Sequence, residues 1–218
     1  MNFTTAQRQI NNMELFGGGT ISNVCGYLLV DGQKNIDWLK EQVNKLFELN
    51  DALRIRLNKN DENTHQYVEP YQKQEIKVLH FSDTEEFYNY ALEYAKEPLP
   101  SNNVLCEILL VVMPDKFGIM PKLHHIIGDA WAIALIGNQF NALLRGETPP
   151  AYSFTEYIEQ EKDYISSKRY KKDEEFFINQ MTNFEEPVYI SNVQTNKYYA
   201  KRKTFVLTEK QAISKRKM

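Results

Sequence analysis

His124 and His125 stand side by side and are followed by Asp129 in the stretch Leu123-His124-His125-Ile126-Ile127-Gly128-Asp129-Ala130-Trp131, where polar chemistry interrupts an apolar junction of strand, loop and helix. An imidazole titrates near neutral pH, so a histidine held at a cleft can act as a general base. Successive side chains of a strand face opposite sides, so one ring can meet a cleft while the other packs inward, and the two cannot share a role. Asp129 falls where the loop turns into a helix, where unpaired backbone N–H groups and the helix dipole favour a carboxylate. A buried carboxylate needs a partner. Arg54 is expected to supply it through two parallel hydrogen bonds, forming a buried ion pair that braces the histidine loop. Spacing alone leaves three readings of the cluster: satisfied histidines of core or surface, a metal site, or an imidazole base. The metal reading is the weakest of these, because adjacent strand residues diverge and no second pair of ligands follows at a zinc-like spacing.

The elements that must position these residues belong to a chain of 218 residues, 42% hydrophobic and 12% aromatic, which is enough to bury a core in one large domain or two small ones. That composition excludes the disordered and fibrous classes. Lys and Arg number 26 against 29 Asp and Glu, for a net charge of −3, so no surplus of positive charge calls for a nucleic acid partner. The longest apolar stretches, such as 105–113, fall short of the roughly 20 residues a membrane helix needs. The N-terminus has no basic region followed by an apolar run, so neither membrane nor signal peptide is expected and the chain reads as cytoplasmic. Cys25 and Cys106 sit singly in apolar segments and read as buried thiols rather than a disulfide or metal ligands.

Helix and strand patterns alternate, which gives an α/β class. Thr4 or Thr5 can cap a helix through Leu15, ended by Gly17-Gly18-Gly19; residues 20–30 read as a strand closed by the Asp31-Gly32 turn. An amphipathic helix is predicted over 36–49, with Trp38, Leu39, Val43, Leu46 and Phe47 on one face. Residues 52–57 alternate as a strand, Leu53, Ile55 and Leu57 on its apolar face and Arg54 and Arg56 on its cationic one. Short strands are expected at 65–68 and 76–81, a helix at 84–96, and two longer strands at 104–113 and 117–123, Pro121 marking a bulge or an edge. A helix over 130–145 ends at Gly146; helices over 154–180 break near Ser166-Ser167; a strand over 203–207 and a helix from Thr208 follow. In residues 166–218 Lys and Arg outnumber Asp and Glu, while the rest of the chain is net negative.

Three motifs in order resemble the condensation domains of nonribosomal peptide synthetases. His124, His125 and Asp129 match the family's His-His-x-x-x-Asp-Gly, with Ala130 in place of the Gly; Thr4-Thr5-Ala6-Gln7-Arg8-Gln9 is similar to its Ser-x-Ala-Gln-x-Arg, with Gln9 in place of the Arg; and Ala52-Leu53-Arg54-Ile55-Arg56-Leu57 is similar to its His-x-x-Leu-Arg-Thr-x-Phe. The resemblance covers the whole chain but only the first half of the family's domain, two chloramphenicol acetyltransferase-like lobes arranged as a V. It implies an α+β sandwich with a mixed sheet flanked by helices, residues 1–165 forming the N-terminal lobe core. Residues 166–218 would contribute the lobe-closing helix and strand and begin the connection to a C-terminal lobe whose motifs are absent.

The resemblance also implies a reaction: amide bond formation between a donor acyl or peptidyl thioester and the amine of an acceptor aminoacyl thioester. Both are tethered by phosphopantetheine arms of carrier proteins, so the partners are donor and acceptor carriers, the C-terminal lobe and an adenylation domain of the parent chain, with no cofactor of the domain's own and an antibiotic or other secondary metabolite as product class. His125 would orient or deprotonate the amine, His124 would pack behind it, Asp129 would hold the loop through Arg54, and Gly128, Asp129 and Ala130 would turn backbone N–H groups toward the reacting centre. Trp131 keeps the place that favours condensation over epimerisation, whereas Ala130, Ala132, Asn50 and Asp51 depart from the family pattern. Met1 lies close to the first motif, which suits a starter domain taking a fatty acyl donor or one fed by a separate protein. The 218 residues alone are expected to be inactive, because the tunnel for the two arms needs walls from both lobes. Two other functions fit the same fold: a non-catalytic carrier-protein recruitment domain and a free-standing acyltransferase.

Overall fold

The computed structural model describes residues 1–17, 22–60, 63–99 and 103–182. In chain order the elements are α1 (Thr5–Gly17), β1 (Asn23–Cys25), β2 (Leu28–Asp31), α2 (Ile36–Leu49), a short 3-10 helix (Asp51–Arg54), β3 (Ile55–Asn60), β4 (Asn63–Val68), β5 (Val78–His80), α3 (Thr84–Tyr94), β6 (Cys106–Val112), β7 (Lys116–His124), α4 (Ala130–Leu144), α5 (Phe154–Ile165) and α6 (Lys168–Met181). The chain divides into two compact units, Met1–Asn179 and Gln180–Met218. The strand expected over 203–207 and the helix from Thr208 lie outside the described residues.

Continuous apolar runs make β6 and β7 the middle of a mixed sheet, as expected of strands covered on both faces. β7 pairs antiparallel with β6 on one side and with β1 and β2 on the other, and β5 adds parallel to β6. Alternation sorts their side chains: Cys106, Ile108, Leu110, Phe117, Ile119 and Leu123 join the core shared with α2 and α4, while Leu109, Val111 and Met120 pack with Phe81, Phe87 and Tyr94 on the α3 face. Lys122 is fully buried on that second face. Its ammonium donates to Tyr94 O at 2.8 Å and Glu97 O at 3.0 Å and lies over the Tyr94 ring, closing the C-terminal end of α3. The Tyr94 hydroxyl in turn donates to Glu107, which faces Lys122 across the ladder.

Three sequence expectations are corrected. Residues 20–30 do not make one strand: β1 and β2 are separated at Gly26 and Tyr27, opposite Pro121, whose carbonyl accepts from Gly26 N at 3.1 Å. The N–H and C=O of one residue in an antiparallel ladder point to the same neighbour, so Pro121, having no N–H, forces its break on the β1–β2 side and sits in an interior strand rather than at an edge. Residues 51–54 wind as a 3-10 helix and the strand starts only at Ile55, so the period-2 pattern does not extend to Arg54. Trp38 turns outward from α2, while Gln42 and Asn44 are buried beside Leu39, Val43, Leu46 and Phe47. Asn44 accounts for this, donating to Lys40 O and Gln74 O and accepting from Gln74 N, which ties the strand-free segment before β5 to the helix.

Candidate functional site

The histidines leave β7 at its C-terminal end. His124 is the last strand residue and His125 the first of a turn that Ile127 N closes on His124 O at 3.0 Å. The His124 ring is half-buried: Nδ1 accepts from Ile126 N at 3.1 Å and Nε2 lies 2.8 Å from Glu14 Oε1 of α1, so its ring proton sits on Nε2. His125 is exposed and oppositely arranged. Its Nδ1 donates to Gly128 O at 3.1 Å, its backbone N–H donates to Ser22 O at 2.7 Å, and among the described residues Nε2 has no hydrogen-bond partner. In the neutral ring the carbonyl contact puts the proton on Nδ1 and leaves a lone pair on Nε2. Gly128 must be small, because a Cβ there would stand 2.9 Å from Ala132 Cβ and 3.0 Å from Leu123 Cδ1.

Asp129 begins α4, its Oδ1 accepting from Ala132 N at 3.0 Å as a helix cap. The expected Arg54–Asp129 ion pair is not formed. Arg54 donates through Nε to Phe47 O at 2.9 Å and through Nη1 to Glu69 O at 2.7 Å, in a separate groove beside Arg56 and Gln74. The cause is the 3-10 turn, which buries Leu53 and aims Arg54 at the end of α2. Ala130 and Trp131, the first two helical residues, are exposed, Trp131 at 83%, and by position their N–H groups have no intrahelical acceptor.

His125 borders a cavity of about 420 Å³ with mostly apolar walls from α1, the 3-10 turn, α4 and the start of α5, including Ile10, Leu53, Ile136 and Phe154. Asn50 and Asp51, the departures from the family motif, also line it. Asn50 donates to Leu46 O and Gln139 Oε1, both at 2.8 Å; Asp51 accepts from Phe154 N at 2.6 Å, Thr155 N at 3.2 Å and the Ser153 hydroxyl at 3.0 Å, anchoring α5. No group of three or more metal-ligating side chains occurs among the described residues. Cys25 and Cys106 are free and lie opposite β7 residues on either side of that strand; burial pushes both thiols up. Sequence reasoning assigned no role to Gln7 or Ser22, although both bond the histidine turn. Gln7 lies in a quoted motif and three residues after Thr4, a capping-box spacing that was its available signal.

The sequence profile described as Condensation domain matches residues 1–217. Surfactin synthase subunit 1 of Bacillus subtilis (strain 168) is 30% identical over 207 residues, 85% of this chain and 6% of that protein. A dimodular nonribosomal peptide synthase of the same organism is 24% identical over 79% of this chain and 8% of its own length. Among solved structures, a starter condensation domain of rhizomide synthetase in complex with C8-CoA and Leu-SNAC superposes with a TM-score of 0.77 at 18% identity, over 89% of this chain and 48% of that one. The first condensation domain of the calcium-dependent antibiotic synthetase gives 0.71 at 20%, over 86% and 49%. The chain belongs to the condensation-domain family of nonribosomal peptide synthetases, and it spans about half the length of the solved domains it matches.

Proposed function

We propose that the chain is the N-terminal lobe of an amide-forming condensation domain, residues 1–165 its core and 166–218 its closing segment and connection, acting in the cytoplasm with a second lobe and two carrier proteins. The observation that carries this is the Nε2 of His125, unpartnered among the described residues, with its tautomer held by Gly128, at the rim of an apolar cavity. The amine of the acceptor aminoacyl group attacks the donor thioester carbon; a C–N bond forms, the C–S bond breaks, and the carrier arm leaves as thiol. His125 Nε2 orients the amine and accepts its proton, which passes to the departing sulfur. The N–H groups of Ala130 and Trp131 supply dipoles for the tetrahedral oxyanion, Asp129 holds the helix start that presents them, and Gly128 and His124 shape the turn. Arg54 contributes by fixing the 3-10 turn to α2 and to Glu69, the residue after β4. Phosphopantetheine arms come with the carriers. This lobe supplies positioning and a proton acceptor, and holding amine and thioester together contributes most of the rate.

The test is His125→Ala in a two-lobed condensation domain carrying this chain. Amide formation between loaded carriers should fall by at least about 100-fold with carrier affinity unchanged, as loss of a contact made in the transition state requires. Full turnover by the variant would remove the catalytic assignment of His125.

A further inference from the structure

We propose that Gln7 is a positioning residue for His125: its buried side-chain amide holds the carbonyl of Ile126 and thereby the turn that carries the imidazole. The inference rests on the assignment of His125 as the reacting ring. Gln7 is 2% exposed. Its Oε1 accepts from Thr4 N at 2.9 Å while its own N–H donates to Thr4 Oγ1 at 3.2 Å, the reciprocal pair of a capping box at the start of α1. A cap of this kind uses only the oxygen. The NH2 group points the other way, donating to Ile126 O at 2.9 Å and to Gln66 Oε1 at 2.8 Å, and Gln66 Nε2 returns a bond to Gln7 Oε1 at 2.7 Å. The Thr4 donor and the Ile126 acceptor leave no freedom to flip the amide.

Ile126 is thereby held at both backbone groups, its N–H on the His124 ring and its carbonyl on Gln7. His125 is held at its backbone N–H by Ser22 and at Nδ1 by Gly128. The Ile126–Ile127 peptide lies between the histidine and the glycine that sets its tautomer. If its carbonyl is released, that peptide plane is held only by Ile127 N on His124 O and can tilt about that bond, and the Nδ1–H to Gly128 contact lengthens. Arg54 does not reach this loop, so the bracing expected of it falls to α1, through Gln7 at one end and the Glu14–His124 contact at the other.

Ring nitrogen spectra of the 15N-labelled 218-residue chain read the arrangement directly, with His65 and His80 as internal references. In the wild type, neutral His125 should show one tautomer, protonated on Nδ1. In Gln7→Met, with helix content retained, its two ring nitrogens should converge as the tautomers mix, while Thr4→Val, which removes only the capping hydroxyl, should leave them apart. Should Gln7→Met not fold, Gln7→Met with Gln66→Met removes both amides together and avoids stranding one of them. In a two-lobed domain the same variant should lower kcat by about 10- to 100-fold with KM for the loaded donor carrier within about twofold, as a small displacement of a reacting group does. An unchanged His125 signature in a folded Gln7 variant, an equal change in Thr4→Val, or mixed tautomers with undiminished kcat would each overturn the proposal. A failed catalytic assignment would show separately, as full turnover by His125→Ala.

Discussion

Arg54 donates to two backbone carbonyls and Asp129 accepts from one helical N–H, so truncating them should act independently. Arg54→Ala removes bonds from a charged donor to half-buried acceptors and should cost about 1.5–3 kcal/mol, whereas Asp129→Ala loses a cap, about 1 kcal/mol. Urea denaturation of the double variant should return their sum to within about 0.5 kcal/mol. A coupling several times larger would mean that the two groups do meet as an ion pair, since breaking a buried pair costs about 3–5 kcal/mol.

Two glycines separate hard from soft contacts between elements. A Cβ on Gly118 would lie 1.9 Å from the backbone oxygen of Leu28, so Gly118→Ala must push β2 off the sheet and should cost about 3 kcal/mol or more. A Cβ on Gly26 meets instead the branch methyl of Ile133, Cγ2, at 2.5 Å, which yields by a shift of that side chain within α4 rather than by parting two strands, and Gly26→Ala should cost less, about 1–2 kcal/mol. Equal melting temperatures for the two variants would contradict this ranking. At the start of α3, the N–H groups of Glu86 and Glu85 hold the Asp83 carboxyl below its ordinary value, and Ser82 does the same for Glu86 through its N–H and hydroxyl. Folded values below the unfolded ones mean stability that is present above about pH 4 and lost as pH falls through the folded values. Amide exchange over residues 84–87 should therefore speed up in acid, and Asp83→Asn should flatten that profile; an identical profile in the variant would remove the cap from the explanation.

On the scale of the whole molecule, a chain spanning 48% of a solved condensation domain presents an indole that is 83% exposed at the rim of the histidine turn. In the proposed function, loaded carriers mixed with the 218-residue chain alone should yield no amide, and adding the second lobe should restore it. In a Trp38→Phe background, the same addition should shift the Trp131 emission to shorter wavelength as water leaves the ring. Amide formation by the chain alone at the two-lobed rate would show that one lobe suffices.

Local chemistry determined much of this lobe. Apolar periodicity was enough for α2 and α4, because burial of one helix face acts over neighbouring turns of the same segment, and the Ser166-Ser167 pair marked the break between α5 and α6. The long apolar runs marked β6 and β7 for the same reason. His124, His125 and Asp129 were legible as a cluster since strand, turn and cap follow within six residues. Only tertiary structure decided what lay between segments. The gap between β1 and β2 depends on a proline nearly a hundred residues further on, and Gln7 reaches Ile126 across 119 positions. Arg54 shows the limit most directly: its alternating neighbours spelled a strand, yet the turn after α2 and the carbonyls of Phe47 and Glu69 set its direction. Sequence pattern records which face of a segment is apolar, whereas the partner of a long polar side chain is chosen by which unpaired backbone groups the packed elements bring within reach.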